Sequence, residues 1–154
     1  MKPGKTAPQS PKPVPEAVVV KVLDKPLHWE ESQLDGLLFE EFANKADESQ
    51  FESYTSANWT ANFEVFAAAL VRKADNQRLD SAALRSVLGL VLGDSKGLAY
   101  LPVGAYQATL NDKLVWIITV KWESVAFGED GLGHIRIYVF DQRTLKQVAF
   151  VTCS

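Results

Sequence analysis

The sequence predicts an α+β fold in which about three N-terminal helices pack on one face of a four-stranded antiparallel meander, with a short extra N-terminal strand. Three observations support this prediction. Helical periodicity extends over residues 32–92, runs rich in β-branched and aromatic residues fill residues 98–153, and short polar or glycine-bearing breaks separate those runs. Helices followed by strands are typical of an α+β domain, whereas a parallel α/β sheet alternates the two.

The composition fits one globular domain with a tail. Of the 154 residues, 47% are hydrophobic and 23% are charged, so the chain can bury a single core. Residues 1–15 hold five of the seven prolines, together with lysine, serine and glutamine, a composition typical of an extended and hydrated segment. We expect a disordered tail over residues 1–15 and a single domain over residues 16–154.

The net charge is small and unevenly distributed. The chain carries a net charge of -3, with five lysines against two acids over residues 1–26 and one lysine against nine acids over residues 27–64. Nucleic-acid binding needs a clustered basic surface, so we expect no nucleic-acid partner. The acidic stretch is typical of a solvated helix face, and it also fits a surface for a basic protein partner.

The compartment is left open by the sequence. Cys153 is the single cysteine, which excludes an internal disulfide and a multi-cysteine metal site. No window reaches the roughly 18 apolar residues that a membrane span needs. We expect a cytoplasmic protein if Met1 is the native start, and a periplasmic or secreted one if an export signal has been removed.

Three helices and an early strand are predicted before the meander. Residues 17–23 are rich in valine and predict a short strand at a sheet edge. The first helix follows Ser32 and continues to Phe42, with apolar residues at three- and four-residue spacing. The second covers residues 58–73, and the third begins at Asp80 or Ser81 and is terminated by nearby glycines.

The meander is predicted to contain two hairpins. The first turns at Asn111-Asp112, which places Leu110 opposite Lys113. The second turns through residues 142–145 and places Val139 opposite Val148. In these registers one face is apolar and suits the helices, while the second face is semi-apolar and carries Tyr106, Ile117, Arg136, Tyr138 and Val151. We expect this second face to be covered by the early segment, a second subunit or a partner.

The tests for chemistry predict no catalytic residue, metal site or cofactor. Ser95 lies in a G-x-S-x-G match, but a helix precedes it and a strand follows, the reverse of a nucleophile elbow. The two histidines lack metal-ligand spacing. The predicted register places His134 opposite Cys153, as a thiolate–imidazolium pair would require. The glycine-bearing loop over residues 123–133 matches neither a phosphate cradle nor a calcium loop, but its length suits a binding loop.

The last half of the chain resembles a known domain type. The helix from Ser81 to Leu92, the strands at 104–107, 115–120 and 135–141, and a turn bearing Thr144 resemble the helix-plus-meander PepSY domains and, more loosely, cystatin-like folds. Those domains usually have a glycine after the turn threonine, where this chain has Leu145. The resemblance implies a non-enzymatic module that binds or restrains another protein. Helices before such a sheet also resemble the NTF2-like fold, whose pocket can hold a small ligand.

The sequence therefore favours a non-enzymatic protein-interaction module that uses the second sheet face and the 123–133 loop, with a protein partner or self-association. The alternative is a small-ligand or enzymatic pocket between helices and sheet, lined by Trp116, Trp122 and Tyr106. The candidate binding residues are Tyr106, Ile117, Trp122, Glu123, His134, Arg136 and Tyr138.

Overall fold

The computed structural model of the chain describes residues 18–30, 36, 42, 59–96, 98–123 and 134–153. The predicted tail over residues 1–15 lies outside these residues. Within the described ranges the elements are β1 (Val19–Val22), α1 (Trp59–Asn76), α2 (Ser81–Gly93), β2 (Ala99–Leu110), β3 (Lys113–Glu123), β4 (His134–Asp141) and β5 (Gln147–Cys153).

The two helices form where the periodicity predicts the second and third helices. Asp80 caps α2, because its carboxylate accepts a hydrogen bond of 3.0 Å from the Ala83 amide. Lys73 lies in the last turn of α1, where the helix dipole favours a cation. Both helices turn an apolar stripe toward the sheet, and the buried residues of the two stripes include Phe63, Phe66, Leu70, Ala74, Leu84, Val87, Leu88 and Val91.

The β2–β3 hairpin has the predicted register. Leu110 lies opposite Lys113, and Asn111 and Asp112 form the turn with φ angles of 48° and 70°. A two-residue turn of this kind needs positive φ at both positions, which Asn and Asp tolerate better than most residues. The prediction of this hairpin is confirmed.

The predicted architecture is wrong, although the α+β class is confirmed. The described residues contain two helices and one five-stranded sheet in the order β1 to β5, and the sheet is mixed because β1 pairs in parallel with β2. A parallel pair needs a crossover connection, which α1 and α2 provide between the two strands. Periodicity shows where elements lie but not which distant strand a short run joins. Of the predicted first helix, only Gly36 and Phe42 are described, and both are helical.

The two sides of the sheet carry separate apolar clusters. We define the first face as the side that α1 and α2 cover, where Trp116 and Ile118 are fully buried. The second face is the opposite side, where Ile117 and Val139 pack in a cluster with Phe42. Phe42 therefore lies on the side opposite α1 and α2, which corrects the prediction that all helical segments pack on one face.

The β3–β4 pairing divides the predicted second face between the two sides of the sheet. Ile117 pairs with Val139, whereas Ile118 pairs with Tyr138 and Val120 with Arg136. Tyr138 and Arg136 thus lie on the first face, away from Tyr106 and Ile117. The sequence could not predict this alignment, because the 123–133 loop is too long to fix the register between its flanking strands.

The β4–β5 register differs from the prediction by one residue. Val139 pairs with Ala149 instead of Val148, and a bulge follows directly after Val139. A shift of one residue moves each side chain of a strand to the other face. Phe150 consequently lies opposite Tyr138 on the first face.

The turn before β5 explains the shift. The Asp141 carboxylate accepts hydrogen bonds from the amides of Arg143 and Thr144, at 2.8 Å and 2.9 Å. These bonds, with the Thr144 amide contributing most, lower the pKa of Asp141. Leu145 then adopts a positive φ of 62°, a conformation that glycine adopts without strain and leucine rarely adopts. Its side chain packs against the first-face core, which offsets part of that strain.

Candidate functional site

The structure separates the candidate binding residues into two groups. Tyr106 and Ile117 belong to the second-face cluster, and Ile117 has no exposed surface. The Glu123 side chain and residues 124–133 lie outside the described part of the chain. The remaining four candidates come together on the first face, and they are Trp122, His134, Arg136 and Tyr138.

The second face is covered by the early segment of the chain. The Phe42 ring centroid lies 5.0 Å from that of Tyr106, and the Phe42 carbonyl accepts a 2.7 Å hydrogen bond from the Thr119 hydroxyl. Trp29 is held by Asn111, whose side chain both accepts from the Trp29 amide and donates to the Trp29 carbonyl at 3.0 Å. These contacts tie Trp29 and Phe42 to β2 and β3, and they cover the second face around Tyr106 and Thr119.

Arg136 lies at the centre of a group of rings on the first face. Its guanidinium carbon is 4.4 Å from the centroid of Trp122, 5.5 Å from that of Tyr100 and 5.8 Å from that of Phe150. All three distances suit a cation–π interaction. The His134 ring stacks beside Trp122, with centroids 4.6 Å apart. We call this set the arginine–aromatic cluster, and its members are Tyr100, Trp122, His134, Arg136, Tyr138 and Phe150.

A chain of hydrogen bonds connects the cluster to the end of α2. The Arg136 guanidinium donates to the Tyr100 hydroxyl, the Tyr100 and Tyr138 hydroxyls are 2.9 Å apart, and Tyr138 donates to the Asp94 carboxylate at 2.5 Å. Because arginine only donates and a carboxylate only accepts, Tyr100 donates to Tyr138. Burial raises the pKa of Tyr138, and its bonds to Asp94 and Tyr100 raise it further. Tyr138 therefore stays a neutral phenol near neutral pH and cannot act as a base.

Arg136 is oriented by two neutral partners. Besides the Tyr100 hydroxyl, its Nε donates to the Thr152 hydroxyl on β5 at 3.2 Å. In the part of the chain that the structure describes, no carboxylate lies within ion-pair distance of this guanidinium. A partly buried cation in this setting is held in place by rings and hydroxyls while its charge stays available for another group.

The cluster borders β5, which is an edge strand. Over the described ranges β5 pairs only with β4, so the backbone groups along its other side face outward. Val148 is 43% exposed and Phe150 is 36% exposed, and Phe150 lies on the first face opposite Tyr138. The strand contains neither a charged residue nor a proline. An edge of this composition is a template for pairing with another polypeptide strand.

Sequence patterns do not single out Tyr100 or Phe150. The predicted register, which lacks the bulge after Val139, sets Phe150 on the other face from Arg136. Tyr100 is the second residue of β2, and its hydroxyl bonds to Arg136 and Tyr138 of β4, which no local pattern connects to it. Correct alternation of β4 with β5 is the one signal that would have placed Phe150 beside Arg136.

The interhelical groove is a second concave surface. It lies between α1 and α2, has a volume of about 770 Å³, and is lined by apolar residues together with Glu64, Arg72, Asp75 and Arg85. Opposite charges are equally represented there, so the groove favours no ligand charge. A smaller cavity of about 590 Å³ lies where the two hairpin turns approach Asp80.

The predicted small-ligand pocket is not formed by the residues assigned to it. Trp116 is fully buried in the first-face core, whereas Tyr106 lies on the second face. Neither the interhelical groove nor the smaller cavity lies between the helices and the sheet. The layer where the pocket was predicted is filled by large side chains such as Phe66 and Leu70.

The predicted thiol–imidazole pair is wrong. Cys153 pairs with Ile135, so His134 and Cys153 lie at neighbouring, not opposite, register positions. Ser95 is buried, with 3% of its surface exposed, directly after α2.

Within the described residues no group of three or more His, Cys, Asp or Glu could hold a metal ion, and no helix has the length and apolar character needed to cross a membrane.

Comparisons with protein families, with curated proteins and with solved structures find no match to this chain. The resemblance of residues 80–153 to PepSY-like, cystatin-like or NTF2-like domains therefore stays a prediction. The arginine–aromatic cluster and the β5 edge are the features of the described residues that bear on function.

Proposed function

We propose that this chain is a non-enzymatic protein-interaction module that binds a partner polypeptide as an added strand on β5. The observation that carries the proposal is the composition of that edge: an uncharged strand with exposed Val148 and Phe150 and outward-facing backbone groups. Strand addition of this kind derives affinity from main-chain hydrogen bonds and specificity from alternate side chains.

The β5 edge has few of the features that normally prevent strand pairing. Natural edge strands are commonly protected by lysine, proline, an inward-pointing charge or a bulge in mid-strand. Here Lys146 precedes the strand, and the bulge lies at Val148, which has no partner on β4, so the pairing of residues 149–153 continues without interruption. An added strand would cover Val148 and Phe150, and burial of their apolar surface would favour binding.

The β5 edge is a better-supported contact surface than the second face. Ile117, Ile137 and Val139 on the second face have no exposed surface, and Trp29 and Phe42 pack in the same cluster. Over the described ranges β5 lies at the open end of the sheet. We thus keep the proposal of a protein-interaction module, and we propose the β5 edge as its binding surface in place of the second face.

Site-specific photo-crosslinking tests this proposal. A photoreactive amino acid is placed at Val148 and at Thr152 on β5, and as controls at Leu90 on α2 and Leu114 on β3, which are 49% and 46% exposed. We expect positions 148 and 152 to capture one polypeptide. Mass spectrometry should place the two crosslinks about four residues apart in that polypeptide, because paired strands run residue against residue.

Two results would contradict strand addition. One is capture at Leu90 or Leu114 with equal yield, which would indicate nonspecific contact. The other is a pair of crosslinks at positions of the partner too far apart to belong to one strand.

A further inference from the structure

We propose that the strand added to β5 presents a carboxylate side chain to Arg136, so that the partner segment is an extended polypeptide bearing an aspartate or, more suitably, a glutamate. This inference rests on the proposed function and adds the chemistry of the partner to it.

The sheet register places Arg136 within reach of such a side chain. Arg136 lies opposite Thr152, and its Nε donates to the Thr152 hydroxyl, so the guanidinium stem leans toward the β5 edge. A partner residue opposite Thr152 would project on the same face, about 5 Å beyond it, because adjacent strands are about 4.8 Å apart. The gap between that residue and Arg136 is thus about two strand spacings, which an arginine and a glutamate can close from the two sides.

The guanidinium is built to accept a carboxylate. Arginine has five N–H donors in a planar fork that matches a carboxylate in two parallel hydrogen bonds. In the described part of the chain, Tyr100 and Thr152 account for two donors. Packing against Trp122 at 4.4 Å fixes the plane and removes water from one side. A restrained and partly desolvated arginine loses little conformational entropy when it pairs.

Arg136 has no direct counter-charge among the described residues. Asp94 is the carboxylate linked to the arginine–aromatic cluster, and it is separated from Arg136 by two phenol groups, Tyr138 and Tyr100. An acidic partner residue would supply the direct counter-charge. A second copy of this chain would not, because β5 contains no acidic residue to bring to Arg136 when two copies pair through this strand.

Two synthetic peptides test the inference. Both consist of alternating threonine and valine with blocked ends, and they differ in carrying glutamate or glutamine at the central position. Amide shifts of the isotope-labelled chain are followed by NMR during titration. We expect shifts at residues 147–153 and at the Arg136 side chain, with binding of the glutamate peptide at least about ten-fold tighter.

Three variants of the chain define the role of the guanidinium. Arg136→Gln should bind both peptides equally, and Arg136→Lys should retain a smaller preference for glutamate because it keeps charge without the fork. Arg85→Gln, in the interhelical groove, is the matched control and should keep the full preference. Dispersion of the amide spectrum verifies that each variant is folded before titration.

Each outcome separates this inference from the proposal of strand addition. Equal binding of the two peptides at β5 would overturn the proposed contact between a carboxylate and Arg136, while leaving strand addition intact. The same holds if neither peptide binds while position 148 still captures a partner. Chemical-shift changes confined to the interhelical groove would overturn the inference, because the peptide would then bind elsewhere. A dimer of the chain that forms through β5 without peptide would also overturn it, because a second copy would then occupy the edge.

Discussion

Tyr138 joins the sheet to the helical layer through a single hydroxyl. It is 1% exposed and bonds to both Asp94 and Tyr100. We predict that Tyr138→Phe lowers the free energy of unfolding by about 1–3 kcal/mol, because Tyr100 and Asp94 each lose a buried partner. Tyr106→Phe is the matched control and should cost less than half as much, and urea denaturation at neutral pH measures both.

The same residue gives a pH dependence with a defined sign. The pKa of Tyr138 is raised in the folded chain above the ordinary value of about 10. A raised pKa favours the protonated form, so its contribution is complete below about pH 10 and is lost at higher pH as the unfolded phenol ionises. We expect Tyr138→Phe to lose less stability than the parent chain between pH 9 and pH 11, as measured by denaturation at each pH, because the variant lacks this protected phenol. A larger loss in Tyr138→Phe would show that the phenol is not protected in the fold.

Thr119 tests the cover of the second face. Its buried hydroxyl donates to the Phe42 carbonyl at 2.7 Å. Thr119→Val keeps the shape but leaves that carbonyl without this donor, so we predict a cost of about 1–3 kcal/mol in urea denaturation. Thr109→Val, at a partly exposed position of β2, serves as the control. Equal losses of stability in Thr119→Val and Thr109→Val would mean that the hydrogen bond from Thr119 to the Phe42 carbonyl does not stabilise the fold.

Two glycines distinguish requirements of the helix from those of the sheet. A methyl group at Gly89 in α2 would meet no atom within 4 Å, whereas one at Gly104 in β2 would lie 2.9 Å from the Tyr106 ring. We predict that Gly89→Ala stabilises the chain by about 0.5–1 kcal/mol, because alanine has the higher helix propensity. Gly104→Ala should destabilise it, since Tyr106 is held by Phe42. Thermal unfolding midpoints should shift in opposite directions.

At the scale of elements, the sequence predicts what local chemistry determines. The apolar stripes of α1 and α2 and the Asn111-Asp112 turn are local signals, and their predictions are confirmed. The parallel pairing of β1 depends on contacts with β2, about eighty residues later, and no local pattern reports it. The bulge after Val139 arises from the Asp141 turn and Leu145, whose φ of 62° is unusual for leucine.

Sequence reasoning reaches part of the arginine–aromatic cluster. Arg136 and Tyr138 are predicted on the semi-apolar face, Trp122 as a pocket residue and His134 opposite Cys153, and the structure brings these four together. The prediction also groups Tyr106 and Ile117 with Arg136 and Tyr138, because the β3–β4 register cannot be deduced across residues 124–133. Tyr100 and Phe150 complete the cluster through tertiary packing, which alternation alone does not specify.

For the whole molecule, the way the sheet is covered supports the proposed strand addition. Helices cover the first face over the early strands, and Trp29 and Phe42 pack on the second face. The β5 end carries exposed Val148 and Phe150 beside the arginine–aromatic cluster. We predict that Val148→Lys abolishes capture of the partner without loss of stability, because a lysine on an edge strand opposes pairing. Leu90→Lys on α2 should leave capture unchanged, as judged by crosslinking from Thr152.

Hydrogen exchange of the β5 amides is the sharpest test of whether a partner polypeptide adds as a strand to β5. It is measured for the chain alone and with the polypeptide captured at position 148. An added strand forms hydrogen bonds with the outward-facing amides of β5, so we predict that exchange in residues 147–153 slows at least about ten-fold while exchange in α1 and α2 is unchanged. Protection confined to α1 and α2, with β5 exchanging as in the free chain, would mean that the polypeptide does not pair with β5.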